Sequence, residues 1–168
     1  MRHIIHAFLA VLLLALPQIA ASPARAEGEA AAILTQNRDL VAKASRQTIG
    51  PVIDALAASG DPTAAQILTA WEARRLGQRK SDGAFFLLAP TADGYALTAP
   101  DGTPAGTAPK ADITELKPNA GVRGLIATAL VQFQLSDPDP AARDAALNSI
   151  ARDPSPDHLV PLRAAIPG

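Results

Sequence analysis

The chain contains no cysteine. Disulfide staples, thiolate metal sites and a cysteine nucleophile are therefore excluded, and the fold must be held together by its apolar core alone. Aromatic residues are also scarce, at 4% of 168 residues, with one tryptophan (Trp71) and one tyrosine (Tyr95). The core must be assembled largely from Ala, Leu, Ile and Val, and alanine-lined helices can approach one another closely. An excess of positive charge is lacking too, which argues against a nucleic-acid partner. No Walker sequence is present, so direct nucleotide binding is not expected.

The first 26 residues carry a basic start at Arg2, an apolar run from Phe8 to Leu16, Pro17, and Ala24-Arg25-Ala26 before Glu27. This is the layout of a secretory signal peptide, and the apolar run falls short of the roughly 20 residues of a membrane span. A mature chain of residues 27–168, exported to the periplasm, is predicted. Removing Arg2 and Arg25 takes the basic count from 15 to 13 against 16 acidic residues, a mature charge of about −3.

Apolar residues recur at helical spacing on both sides of a central stretch that breaks the pattern. Residues 29–44 predict an amphipathic helix with a polar interruption at Asn37. A second helix is predicted after Thr48, read as its cap, with Pro51 in the first turn and Ser59-Gly60 at the end. Asp61-Pro62 opens a third, with Ala64, Ile67, Leu68 and Trp71 inward. Residues 120–135 and a segment ending near Ala151 predict two further helices. The second of these is opened by Ser136-Asp137-Pro138-Asp139-Pro140, a return of the Asp-Pro device. Ser155-Pro156 caps a sixth, interrupted by Pro161.

Between them, residues 76–118 contain three Asp-Gly pairs, at Asp82, Asp93 and Asp101, which predict tight hairpin turns using positive φ. Strands are predicted near 76–80, 84–89, around Tyr95 and Leu97, and over 111–116. Pro104, Gly106 and Pro109 permit at most a short edge strand. Phe85-Phe86-Leu87-Leu88 is apolar on successive residues, so both faces of that strand should be covered. The expected architecture is mainly α. Antiparallel helical hairpins of HEAT-like repeat type (27–75 and 119–168) flank a small antiparallel β insert at about 76–117, with 27–168 forming one domain.

No residue set predicts catalysis, a cofactor or a metal. Ser155, Asp157 and His158 are sequence neighbours at a helix start, which cannot supply a nucleophile–base–acid relay. Asp137, Asp139, Asp153 and Asp157 fit helix capping and lack calcium-loop spacing. Trp71, Phe85, Phe86 and Tyr95 read as core. The one dense basic patch, Arg74, Arg75, Arg79 and Lys80, is either a solvated helix end next to an exposed strand or a contact surface for an acidic partner or for lipid headgroups.

Several motifs resemble the N-terminal extracytoplasmic extension of urea ABC transporter permeases, the UrtB type of the branched-chain amino acid permease class. They are Ala57-Ala58-Ser59-Gly60-Asp61-Pro62, the Arg79-Lys80-Ser81-Asp82-Gly83 run, Tyr95-Ala96-Leu97-Thr98 and Val122-Arg123-Gly124. The Asp-Pro segment from Ser136 to Arg143 completes the set. The resemblance implies a non-catalytic accessory to a urea or short-chain amide importer, contacting the permease membrane domain or the periplasmic solute-binding protein. The membrane domain of that family has no counterpart before Gly168, so no transport residue carries over. The alternative is a free-standing periplasmic scaffold for an unrelated protein.

Overall fold

The computed structural model describes residues 28–152 and 154–166; the predicted leader lies outside them. Four helices come first: α1 (Glu29–Gln36), α2 (Arg38–Ala42), α3 (Gly50–Ala58) and α4 (Thr63–Glu72). Five strands follow: β1 (Leu76–Arg79), β2 (Phe85–Pro90), β3 (Gly94–Thr98), β4 (Pro104–Pro109) and, after a 3-10 turn at Lys110–Asp112, β5 (Ile113–Glu115). The chain continues through α5 (Ala120–Leu135), α6 (Pro140–Arg152), a 3-10 turn at Pro156–His158 and α7 (Leu159–Ala165).

The fold is mixed α/β, which corrects the expectation of a mainly α, HEAT-like repeat protein. All strands belong to one antiparallel sheet of order β4-β3-β2-β1-β5, so β1 is interior and its last neighbour arrives from the far end of the meander. The sheet is a full structural layer. On one face Leu76, Phe85 and Leu116 join the principal core with Leu34, Ile53, Leu56, Leu68, Trp71 and Ile126 from the helices. On the other face Phe86, Leu88, Tyr95, Leu97 and Ile113 form a second core. Gly77, paired with Phe86, makes room for it: a Cβ there would stand 2.6 Å from Leu88 Cδ1 and 2.9 Å from Ile113 Cγ2. Tyr95 Oη donates to the Glu115 carboxylate. That bond joins β3 to β5 across the two intervening strands, so the sheet curls around its second core.

The Asp-Pro device misled at the level of the fold because it is a local boundary signal. Asp139 Oδ1 accepts the Ala141 amide at 2.9 Å just as Asp61 Oδ1 accepts that of Thr63 at 2.8 Å. The two helices nevertheless pack differently. α4 lies against α3, α5, β1 and β2, whereas α6 packs on α5 in a small separate cluster of Leu135, Ala146 and Ile150. Among the described residues, α6 does not pack on α3 or α4 as one stacked hairpin packs on the next. The 16-residue α5 spans both regions, with Val122, Ile126 and Ala129 in the main core and Leu135 in the lesser one.

Local corrections have local causes. Asn37 ends α1 outright, because its side-chain amide donates to the Ile33 carbonyl at 2.9 Å and competes with the helical ladder. Thr48 does not cap α3; its hydroxyl pairs with Ser45. Of the Asp-Gly glycines, Gly83 and Gly102 take positive φ, while Gly94 serves close approach, since a Cβ there would meet the Ala108 carbonyl oxygen at 2.1 Å. β4 is six residues long, and its register slips between Ala96 and Thr98.

Asp61 does more than the sequence suggests. Its Oδ1 accepts the Thr63 amide and hydroxyl, and its Oδ2 accepts the Ala30 amide at 2.9 Å, so one carboxylate closes the N-termini of α4 and α1. Partial burial pushes its carboxyl up, but the bonds from Ala30 and Thr63 outweigh this and hold it below the usual value of 3.8. Asp61→Ala should therefore lower stability by about 1–2 kcal/mol in urea unfolding at neutral pH. A depressed folded-state pKa stabilises above the unfolded value and ceases to do so as pH falls through the folded one. The gap between wild type and variant should thus narrow on acidification below 3.8. A gap constant through the acid range contradicts an ionised double cap.

Candidate partner-binding surface

The four basic residues bracket β1, and the structure sorts them into two unlike pairs. Arg74 and Arg75 leave α4 through a Schellman turn. The Arg74 amide donates to the Trp71 carbonyl at 2.9 Å and the Arg75 amide to the Ala70 carbonyl at 2.6 Å. Arg74 occupies the left-handed position at φ 59°, and it is the one non-glycine residue with positive φ among the described residues. Glycine normally fills this position because a Cβ there is strained by about 1–2 kcal/mol. Both arginines are exposed, and neither side chain forms a hydrogen bond or ion pair among the described residues.

Arg79 and Lys80 lie about 13 Å further along the strand. Arg79 grips Asp82 bidentately, Nε to Oδ1 at 3.0 Å and Nη2 to Oδ2 at 2.6 Å, and its guanidinium sits 4.7 Å from the Phe86 ring centroid. That bond, with the Ala84 amide on the same carboxylate, holds the Asp82 carboxyl down to about 2. Lys80 Nζ donates to the Ala111 carbonyl at 2.6 Å. Arg79 therefore lies on the curled face of the sheet, while Arg75 lines a cleft on the helix side, beside Leu87 and Thr98. The four do not form a single cluster.

The structure adds Arg38, which sequence reasoning missed. Its side chain runs past Gly83, within 3.1–3.2 Å of where a Cβ would stand, placing a further guanidinium at the β1–β2 turn. Nothing in a sequence signals this, because 45 positions separate the two residues and only the fold joins them. The other candidate sites resolve locally. Trp71, Phe85, Phe86 and Tyr95 are buried in the two cores. His158 Nδ1 accepts the Ser155 amide at 3.3 Å, a contact within one turn. Asp153 and the Asp157 side chain lie outside the described residues. Among those described, no three His, Asp or Glu side chains are grouped for a metal, and no helix is long and apolar enough to cross a membrane.

Comparison with known proteins brings no relative into view: no protein-family model, no curated protein and no solved structure matches the chain.

Replacing Arg74 with glycine removes the left-handed strain at the cost of extra freedom in the unfolded chain. Arg74→Gly should raise stability by about 0.5–1 kcal/mol, read as a higher urea midpoint. A lower midpoint would mean that the arginine side chain contributes to the fold, contrary to its exposed, unpaired position.

Proposed function

We propose that this chain is a non-catalytic partner-binding domain that presents basic side chains to an acidic protein surface. The observation that carries the reading is Arg74. A strained residue held in a left-handed turn, at a position where glycine would be more stable, points to a use for its side chain outside the fold. Arg75 stands next to it, exposed and without a side-chain partner among the described residues. Arg38, Arg79 and Lys80 form a second basic region at the β1–β2 turn.

The partner we propose is a component of a urea or short-chain amide ABC importer in the periplasm, either the permease membrane domain or the solute-binding protein. Support comes from the motif resemblance, whose Arg79-to-Gly83 run forms a hairpin tip with Lys80, Ser81 and Asp82 exposed. A surface turn is free to vary without loss of stability, so its basic residues are open to selection for contact.

Affinity capture from native membranes tests the reading. The wild-type chain should retain an importer component, with retention falling as ionic strength rises. Arg74→Glu with Arg75→Glu should reduce retention at least 10-fold while leaving the unfolding free energy of the domain within about 0.5 kcal/mol of wild type. Arg79→Glu with Lys80→Glu should weaken it less, because those side chains are already engaged. Retention unaffected by either pair would exclude the basic surface, and capture of no importer component would overturn the proposed partner.

A further inference from the structure

We propose that the cleft between α4 and the β2–β3 ladder binds a small aliphatic carboxylate, with Arg75 as the group that holds the carboxylate. The cleft measures about 300 Å³, near the lower limit for small-molecule sites. Its floor is apolar: Ala70 from α4 and Leu87 from β2, with room left because alanine stands where a larger side chain would fill the space. Its rim is polar. Gln66 and Thr69, one helical turn apart, edge it from α4, and Thr98, paired with Leu87 across the ladder, edges it from β3.

The backbone of Arg75 is fixed before any ligand arrives. Its amide donates to the Ala70 carbonyl at 2.6 Å and its carbonyl accepts the Leu88 amide at 2.7 Å, so the residue is fastened to both helix and sheet. Its guanidinium has no anionic partner among the described residues. The Thr69 hydroxyl donates to the Ala65 carbonyl, whereas the Gln66 amide and Thr98 hydroxyl form no hydrogen bond among the described residues. An arginine on the wall of a cleft with an apolar floor matches a carboxylate joined to a short hydrocarbon chain. A single cation and a greasy base suit a phosphate dianion poorly. This site goes beyond the partner-binding reading and does not depend on it.

The test is an amide-resolved NMR titration of the full chain with hexanoate, using hexanamide as the neutral control. Saturable shifts are expected at the amides of Thr69, Ala70, Leu87, Leu88 and Thr98, with hexanamide at equal concentration producing none. Arg75→Gln should weaken hexanoate binding at least 10-fold. Ala89→Trp, at an exposed position on the cleft wall, should block it while leaving importer capture unchanged. Arg74→Glu should do the reverse, so failure of one reading is separable from failure of the other. Absence of saturable shifts, an equal response to hexanamide, or full binding by Arg75→Gln would each overturn the proposal.

Discussion

Phe85 and Phe86 are consecutive, and a strand sends consecutive side chains to opposite faces. One must therefore enter the helical core and the other must be covered some other way. Phe85 packs with Trp71, Leu76 and the helices, while Phe86 packs with Leu88, Tyr95, Leu97 and Ile113. Each buried side chain of this size contributes about 1.5–3 kcal/mol. β2 is thus the shared wall of two cores. The helical layer exists on one side of it, and the curl of the sheet, closed by Tyr95 and Glu115, exists on the other.

The candidate surface follows from that wall. α4 runs onto the sheet through the short turn at residues 73–75, which is bonded back to α4 at Ala70 and across to β2 at Leu88, and the turn takes a left-handed residue to reverse the chain. The backbone at this turn is hydrogen-bonded to helix and sheet, so contact costs chiefly the rotamer freedom of the two arginine side chains. At the other end of β1 the basic side chains are engaged: Asp82 neutralises Arg79, and the Ala111 carbonyl accepts a hydrogen bond from Lys80. Four residues of one sequence patch therefore have different availability, a distinction made by hydrogen bonds and not by charge.

Much of the core was legible in the sequence, because helical and strand periodicities report local burial. Ile53, Leu56, Ile67, Leu68, Trp71 and Val122 are buried as their spacing predicts, and two-sided burial was readable from the unbroken run at Phe85 to Leu88. Gly60 takes its left-handed φ of 68°. The architecture was not legible. Asp-Pro caps mark where helices begin but say nothing about what they pack on, so a repeated cap was mistaken for a repeated fold. Strands broken by Gly and Pro resemble an insert until β5 returns beside β1, a pairing between distant segments that no local pattern encodes. The second bond of Asp61, to Ala30, and the approach of Arg38 to Gly83 are hidden for the same reason. At the candidate site the basic residue types were visible, but their sorting into free and engaged pairs was not.

The central claim is that helices and sheet form one cooperative structure joined through β2, not a helical repeat carrying a dispensable insert. Native-state amide exchange across a urea series tests this directly, using Ile53 in α3 and Ile126 in α5 for the helical layer and Leu88 and Leu97 for the sheet. The account predicts that all four amides converge on one global unfolding free energy and fall together in Phe85→Ala. Sheet amides that open well below the helical ones, with the helical protection untouched by Phe85→Ala, would contradict it.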